Sequence, residues 1–247
     1  MSEWFKDWFA SEDYLNVYSH RNQDDAGSLL KLIHANISLP ENALILDSAC
    51  GSGRHSELLS KLGYNLIAFD LSKTLLQIAQ KNKEIHNNKV NYFCSDIRNI
   101  PLKASFDLVL NLFTSFGYFQ SDEENFAIID FAGKTVKNGG YFVLDYLNPK
   151  YVEMNLIKKS EQIIGSKKII EERSIKNRRV EKEIEIADDK FRHRYFESVQ
   201  LYSFQELFFV FKDYGFHAIK EYGNYNGDPY DENSSERMII IFQKVTE

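Results

Sequence analysis

The feature that most constrains the fold is a short apolar run that leads through a turn of small residues into a helix. Residues 43–47 form the run, Gly51 and Gly53 lie in the turn, and a helix is predicted over residues 54–62. Small residues let a ligand approach the backbone closely, and the start of a helix offers free N–H groups and a partial positive charge. We therefore expect an α/β fold with a ligand at this turn.

The alternation of strand and helix continues along the chain. Further strands are predicted over residues 64–69, 90–94, 106–110 and 141–145, and further helices over residues 72–86 and 122–137. Residues 1–40 have the amphipathic pattern of helices. Alternating strands and helices indicate a parallel sheet covered on both faces, and right-handed crossovers place the carboxyl end of every strand at one edge.

The pattern changes after residue 150. Three segments with two-residue alternation, 169–175, 180–186 and 191–201, predict an antiparallel meander. A capping box of Ser203 and Glu206 opens a last helix, and residues 216–222 and 238–244 are predicted strands. We expect three parts, which are residues 1–150 (an N-terminal helical lid and the cofactor-binding half of a Rossmann-like domain), 151–201 (an antiparallel β cap over the ligand edge) and 202–247 (the C-terminal completion of the sheet).

The charge balance limits the possible partners. The 36 acidic and 30 basic residues give a net charge of −6, and the sequence has no long basic run. Nucleic acid is not expected as a partner, because a phosphate backbone normally requires a basic stripe. The two cysteines suit a reducing compartment, no apolar run has membrane-spanning length, and the N-terminus lacks the pattern of a signal peptide. We predict a cytoplasmic protein with a small-molecule partner and no membrane partner.

Carboxylates at the ends of the first strands indicate which ligand the turn binds. Asp70 ends the second strand, where an acid can accept both ribose hydroxyls of a nucleoside. A dinucleotide needs a third glycine or alanine where this chain has Ser56, and Asp47 at the end of the first strand would repel a pyrophosphate. Asp47 instead suits a cation, such as the amino group of a methionine moiety. After the third strand, Asp96 can bond the adenine amine while Ile97 packs on the ring.

Together with Asn111-Leu112-Phe113 after the fourth strand, these stretches resemble the class I S-adenosylmethionine-dependent methyltransferases. The resemblance implies a seven-stranded, mostly parallel Rossmann-like sheet with helices on both faces, whose last strand is antiparallel. It implies S-adenosylmethionine as cofactor and S-adenosylhomocysteine as product. Ala49 replaces the usual first glycine of the turn. The cofactor-binding residues that the resemblance implies are Asp47, Ala49, Cys50, Gly51, Gly53, Asp70, Leu71, Asp96, Ile97, Asn111, Leu112 and Phe113.

A narrower resemblance concerns the acceptor. The ACGSGRH turn, the FTSFGY stretch and the antiparallel insertion are similar to those of small-molecule N-methyltransferases, which include enzymes that dimethylate amino sugars. In such enzymes the N-terminal helices close over the cofactor, so Tyr14, Tyr18 and Arg21 are candidates for a cofactor-binding lid. The resemblance implies methyl transfer to a nitrogen or oxygen of a small molecule and leaves that molecule open.

Methyl transfer from a sulfonium is an in-line displacement in which positioning supplies much of the acceleration. It needs no metal, and no histidines or cysteines are spaced as a metal site. Candidate catalytic residues are Tyr118 after the fourth strand, His193 on an insertion strand, and Tyr230 and Arg237 in or beside the loop that joins the last two strands. We expect this loop and the insertion to form the acceptor pocket jointly.

Two alternatives stay open at the level of sequence. An NAD-dependent oxidoreductase would use a similar strand, turn and helix, although Asp47 and the missing third glycine argue against it. A non-catalytic protein that binds adenosylmethionine would keep the same motifs without turnover. The acceptor atom, the oligomeric state and the pathway are not determined by the sequence.

Overall fold

The fold begins with three helices. The computed structural model describes residues 3–18, 23–189 and 191–245. The helices are α1 (Trp4–Ala10), α2 (Glu12–Val17) and α3 (Gln23–Asn36), and we call α1 and α2 the lid helices. The predicted lid residue Arg21 lies outside the described residues. No helix within the described ranges is long and apolar enough to cross a membrane.

Strands and helices alternate from residue 44 onward, as predicted. In chain order the elements are β1 (Leu44–Ser48), α4 (Arg54–Lys61), β2 (Asn65–Asp70), α5 (Lys73–His86), β3 (Asn91–Cys94), β4 (Phe106–Asn111), α6 (Asp122–Thr135) and β5 (Val136–Leu147). Helix α6 ends earlier than predicted, because Val136 already pairs with Phe106 of β4. Residues 138–140, predicted to separate helix from strand, lie within β5.

The chain then leaves this sheet and forms the cap. Helix α7 (Pro149–Asn155) leads into four antiparallel strands, β6 (Lys159–Ile164), β7 (Lys167–Lys176), β8 (Arg179–Ala187) and β9 (Arg192–Gln200), which form a sheet in that order. Three of them match the predicted meander. The sequence does not predict β6, because this mostly exposed edge strand has little apolar alternation and depends on backbone pairing with β7.

The last three elements complete the main sheet. They are α8 (Phe204–Asp213), β10 (Phe216–Tyr222) and β11 (Arg237–Lys244), and α8 begins with the predicted capping box of Ser203 and Glu206. The seven strands lie in the order β10-β11-β5-β4-β1-β2-β3, and β11 is antiparallel to both of its neighbours. The predicted α/β fold with an antiparallel cap is confirmed. The division of the chain into three parts stays a prediction.

Three clusters of buried apolar side chains hold these layers together. One cluster, which includes Phe142 and Phe242, covers one face of the main sheet. A second cluster, which includes Ile45 and Ile241, covers the opposite face. The third lies between the lid helices and the cap and contains Trp4, Phe5, Trp8, Val17, Phe119, Ile169, Ile184 and Ile186. Because burial of apolar surface favours this contact, the lid helices and the cap stay together over the carboxyl edge of the main sheet.

Candidate active site

A first cavity of about 260 Å³ lies at the carboxyl edge of the main sheet, beneath the lid helices. Most of the predicted cofactor-binding residues line it, namely Tyr14, Tyr18, Asp47, Ala49, Cys50, Gly51, Asp70, Leu71, Asp96, Ile97, Leu112 and Phe113. Gly53 and Asn111 do not line it. The buried side chain of Asn111 instead donates hydrogen bonds to the hydroxyl of Ser48 and to the carbonyl of Ser115. It therefore stabilises the loop after β4.

The turn after β1 has a backbone conformation that favours small residues. Ala49, Gly51 and Gly53 have φ angles of +55°, +56° and +79°, in the left-handed region. A Cβ on Gly53 would lie 3.1 Å from that of Ala79 and still closer to the hydroxyl of Tyr92. Gly53 is therefore needed for the close approach of the turn to α5 and β3, which explains why it does not line the cavity.

Asp47, at the end of β1, is a buried carboxylate that lines this cavity. Its Oδ2 accepts a hydrogen bond of 2.5 Å from the hydroxyl of Ser56 in α4. Burial raises the pKa of Asp47 to about 6 despite that bond, and the neighbouring Asp70 contributes to the rise. A buried carboxylate with a raised pKa in a cavity is typical of a functional site, and a cationic ligand would stabilise its charged form.

Asp70, at the end of β2, holds the glycine turn in place. Its Oδ2 accepts from the backbone N–H of Gly51 and its Oδ1 from that of Ser72, both at 2.8 Å. Burial raises the pKa of Asp70 in spite of these bonds. Each carboxylate oxygen can accept a second hydrogen bond, so Asp70 can also receive donors from a ligand in the cavity.

Asp96, after β3, is connected to the lid through Arg98. Arg98 donates to both oxygens of Asp96, at 3.0 Å from Nε and 2.6 Å from Nη2, and also bonds Glu3 at 2.5 Å and Glu124 at 2.7 Å. Burial raises the pKa of Asp96, but the hydrogen bonds from Arg98 outweigh burial and lower it. The carboxylate is therefore charged and fixed, and the residue that orients it also bonds Glu3 at the start of α1.

His55 lines the same cavity, although it is not among the predicted site residues. It lies in the first turn of α4, it is buried, and its Nε2 has no hydrogen-bond partner among the described residues. Its ring is 5.1 Å from the ring of Phe113. Burial, and to a lesser degree Arg54, lowers the pKa of His55 to about 3, so the ring is neutral. Its position just after the glycine turn is the signal that could have selected it.

A second cavity, of about 220 Å³, adjoins the first. The two cavities share the side chains of Phe9, Tyr14, Tyr18, Phe113 and Tyr118. The cap contributes Arg173, Lys182 and Glu197, which form one cross-strand row over β7, β8 and β9. Arg237 at the start of β11 also lines it. The wall between the cavities thus comes from the lid helices and from the loop after β4.

A buried acid that the sequence analysis missed, Asp145, organises that loop. Its Oδ1 accepts from Nη2 and Nε of Arg237 at 2.6 and 2.8 Å, and its Oδ2 accepts from the backbone N–H of Phe113 at 3.0 Å and the hydroxyl of Tyr225 at 2.9 Å. Phe113 and Thr114 have φ angles of +55° and +63°, so these bonds hold a conformation that side chains rarely adopt. A carboxylate near the end of a buried apolar strand was the available signal.

Comparison with known proteins gives this arrangement a context. Residues 45–140 match the family model of a methyltransferase domain. This segment of the chain is therefore similar to a methyltransferase domain. The matched segment runs from β1 into β5 and includes Asp47, Asp70 and Asp96 of the first cavity. The predicted resemblance to class I S-adenosylmethionine-dependent methyltransferases is confirmed.

Relatives of the methyltransferase domain differ in how much of the chain they cover. The ubiquinone biosynthesis O-methyltransferase of Hydrogenovibrio crunogenus is 32% identical over 51% of this chain and 52% of that protein. The dTDP-3-amino-3,4,6-trideoxy-alpha-D-glucopyranose N,N-dimethyltransferase of Streptomyces venezuelae is 29% identical over 43% of each. The chain therefore spans about half or less of the length of these curated relatives. A solved S-adenosylmethionine-dependent methyltransferase from Clostridium acetobutylicum shares the fold over 95% of this chain and 98% of its own, with a TM-score of 0.80 and 18% identity.

The structure brings two of the four predicted catalytic residues to the two cavities. Tyr118 lines both cavities and Arg237 lines the second, whereas Tyr230 and His193 line neither. Tyr230 packs on Phe204 of α8, and its hydroxyl bonds Asn148 at 3.4 Å. The ring of Tyr230 is used in this packing, and a catalytic role for Tyr230 stays a prediction.

A catalytic role for His193, which also lies outside both cavities, likewise stays a prediction. It shares the lid-facing side of β9 with Tyr195 and Glu197, since alternate residues of a strand face the same side. It lies near the start of the strand, however, where its half-exposed ring meets Asp13 of α2 at 3.4 Å. Asp13 also accepts from Lys167 at 2.7 Å and Tyr195 at 3.1 Å, so His193 belongs to a contact between lid and cap.

Arg179 joins the cap to the loop that carries Tyr118. Its buried guanidinium donates to the carbonyl oxygens of Phe119, Tyr118 and Gly117 at 2.9, 3.1 and 3.2 Å. It also bonds Ser198 of β9 through its Nε, at 2.7 Å. Because one rigid side chain contacts three successive carbonyls and the cap sheet, the position of the cap is coupled to that of Tyr118.

Proposed function

We propose that the protein transfers the methyl group of S-adenosylmethionine to a nitrogen or oxygen of a small molecule held in the second cavity. One observation carries this proposal. Two cavities adjoin at a shared aromatic wall, and the first is lined by carboxylates after β1, β2 and β3 within a methyltransferase domain. Two adjoining sites of this kind suit a cofactor and an acceptor that must meet in one geometry.

The residues of the first cavity fit S-adenosylmethionine. Asp47 offers a buried carboxylate for the amino group, and Asp70 keeps acceptor capacity for two ribose hydroxyls. Asp96 can accept the adenine amine. The rings of Phe113 and Tyr118 on the shared wall suit a sulfonium, because a cation is attracted to an aromatic face.

The chemistry is a single displacement. The bound cofactor supplies a methyl group on a sulfonium, which is already an activated leaving group. The lone pair of the acceptor forms the new bond to the methyl carbon while the carbon–sulfur bond breaks and leaves its electron pair on sulfur. The acceptor then loses one proton, and S-adenosylhomocysteine is the second product. The chain's own contribution is to hold the acceptor in line at the shared wall and to exclude water beneath the lid and the cap.

Support for a small acceptor comes from the relatives and from the size of the second cavity. The two curated relatives are named for O-methylation in ubiquinone biosynthesis and for N,N-dimethylation of a dTDP-linked amino sugar. The second cavity, of about 220 Å³, is enclosed by the lid, the cap and the start of β11. A general base is required only for an acceptor that arrives protonated, so the proposal assigns none.

Binding of S-adenosylhomocysteine, NAD and NADP, measured in parallel by isothermal titration, tests the first half of the proposal. We expect micromolar binding of S-adenosylhomocysteine alone, and at least a tenfold loss in Asp70→Asn, which removes the charge and replaces one of the two acceptor oxygens by an NH2 group. Asp107→Asn is the matched control, because Asp107 is a buried carboxylate outside both cavities. Selective binding of a dinucleotide would overturn the proposal.

Turnover tests the second half. Release of S-adenosylhomocysteine is measured from S-adenosylmethionine and a panel of small amines, phenols and alcohols. Formation that depends on one acceptor class supports the proposal. Tight cofactor binding with no turnover on the whole panel supports instead the alternative of a binding protein without catalysis.

We also propose a cytoplasmic location. Cys50, which is buried, and Cys94, which is exposed, are both free thiols in the structure. Free thiols of this kind suit a reducing compartment. Thiol titration of the protein isolated from its own cells under denaturing conditions, with alkylation at lysis, should find both cysteines reduced.

A further inference from the structure

The second cavity has unused hydrogen-bond donors, whereas the carboxylate of Glu197 on its wall already accepts from protein donors. On this basis we propose that it binds an oxyanion of the acceptor, a carboxylate or a phosphate ester, at Arg237. The inference rests on the proposed function, and it narrows the acceptor to a small molecule that carries both a nucleophilic nitrogen or oxygen and an acidic group.

The unused donors belong to two arginines. Nε and Nη2 of Arg237 both bond Oδ1 of Asp145, and Nη1 has no hydrogen-bond partner among residues 3–18, 23–189 and 191–245. The Arg237 side chain is 20% exposed and lines the cavity, so Nη1 is accessible from it. On the cap, Arg173 bonds Glu171 through Nη2 and Ser160 through Nη1, which leaves its Nε without a partner in the described part of the chain.

The carboxylates near the same cavity are satisfied by protein donors. Glu197 receives hydrogen bonds from the indole of Trp8 at 2.5 Å and the hydroxyl of Tyr18 at 2.6 Å, and it pairs with Lys182 at 2.8 Å. Asp145 is fully buried and accepts four hydrogen bonds, which uses both of its oxygens. A cationic ligand would have to compete with these donors, whereas an oxyanion would meet guanidinium groups with free N–H.

The position of Arg237 connects this subsite to the reacting end. Asp145, which fixes Arg237, also fixes the backbone N–H of Phe113 on the wall that both cavities share. An oxyanion held at Arg237 leaves the rest of the ligand among the aromatic side chains of the second cavity. The body of the acceptor would therefore lie along the shared wall, with its nucleophile toward the first cavity.

Small anions can probe the subsite directly in the full chain. Acetate and inorganic phosphate are titrated at constant ionic strength into protein saturated with S-adenosylhomocysteine, and the signal is tryptophan fluorescence. The chain has two tryptophans, both in α1, and Trp4 lines the second cavity. We expect a saturable change in fluorescence with at least one of the two anions. Tighter binding of acetate indicates a carboxylate on the acceptor, and tighter binding of phosphate indicates a phosphate ester.

The decisive variant is Arg237→Lys, which keeps a cation to pair with Asp145 but removes the free Nη1. We expect its anion affinity to fall about tenfold, the loss of one charge-assisted hydrogen bond, while its affinity for S-adenosylhomocysteine stays within twofold. Arg178→Lys is the matched control, because Arg178 pairs with Glu206 and lines neither cavity. If Arg237→Lys does not fold, Arg173→Lys replaces it as the test.

Two results would overturn the oxyanion subsite. One is a fluorescence change that does not saturate with either anion, and the other is an Arg237→Lys variant whose anion affinity equals that of the unmodified protein. In either case, retained binding of S-adenosylhomocysteine would leave the proposed function standing. Failure of S-adenosylhomocysteine itself to bind would instead refute the proposed function.

Discussion

Replacement of Asp47 by asparagine is expected to stabilise the ligand-free protein and, at the same time, to weaken cofactor binding. Asp47 is 2% exposed, and burial raises its pKa to about 6 from the ordinary value of 3.8. A carboxylate whose pKa is higher in the folded state than in the unfolded state opposes folding when it is charged. Asparagine has nearly the same shape, and its side-chain oxygen can still accept the Ser56 hydroxyl.

The size of the effect follows from the pKa shift. A shift from 3.8 to about 6 at 1.36 kcal/mol per unit opposes folding by about 3 kcal/mol at pH 7. The stability that the protein has with Asp47 protonated is fully present below pH 3.8. It is lost as the pH rises through 6, because the buried carboxylate then becomes charged. The gain in Asp47→Asn should therefore fall to about 1.5 kcal/mol at pH 5 and vanish near pH 3.

Urea unfolding of the ligand-free protein at pH 5 and pH 7 measures this gain, and isothermal titration with S-adenosylhomocysteine measures the loss of binding. The matched control is Asp107→Asn. Asp107 is also buried, but it accepts from the backbone N–H of Leu44 and from Lys137, both at 2.8 Å. Loss of its charge should destabilise the protein, by about 1–3 kcal/mol.

The reasoning is refuted if Asp47→Asn is less stable than the unmodified protein at pH 7, or if its gain does not depend on pH. Either result would mean that the charged form of Asp47 is not opposed by burial. A variant that is more stable but binds S-adenosylhomocysteine as well as the unmodified protein would remove Asp47 from the cofactor site and leave the electrostatic argument intact.

Three further predictions concern residues around the cavities. Gly53→Ala should lose about 2 kcal/mol or more of stability in urea unfolding, because the positive φ of Gly53 and its approach to Tyr92 and α5 leave no room for a Cβ. Unchanged stability of this variant would contradict that expectation. Arg179→Met should cost about 1–3 kcal/mol, since it removes a donor from three loop carbonyls, of which those of Gly117 and Phe119 keep a second donor from Gln200 and Asn125. Arg179→Lys should recover part of the loss, and equal stability of the two variants would contradict this. His193→Ala should leave turnover within twofold once an acceptor is found, because His193 lines neither cavity, and a loss of more than tenfold in kcat would support the catalytic role predicted from the sequence.

The acidic residues at the strand ends show which site residues a local sequence pattern can predict. Asp47 and Asp70 are predictable because each ends a buried strand of a parallel sheet, and parallel topology alone brings such ends to one edge. Asp145 obeys the same rule at the end of β5. Asp145 could not be selected from the sequence, because its role depends on Arg237, which is distant along the chain and reaches it only through the pairing of β11 with β5.

The cap illustrates the opposite case. Two-residue alternation predicts its other three strands, because their side chains bury one face, but it cannot predict β6, whose side chains are mostly exposed and which pairs with β7 at the edge of the sheet. Two-residue alternation also predicts which residues share a face of a strand, but it does not predict what packs against that face. His193 and Glu197 lie on the same side of β9, yet one meets the lid at Asp13 and the other lines the second cavity.

Local patterns in the sequence are sufficient to predict the α/β alternation, the glycine turn and the acids at the strand ends, because these depend on hydrophobic periodicity and on neighbours within one strand, turn and helix. Only the tertiary structure decided the second cavity. Its walls come from the lid helices, the loop after β4, the cap and β11, and no short-range pattern records which side chains of such distant segments meet. Long-range packing and the pairing of buried charges, such as Arg237 with Asp145, made that selection.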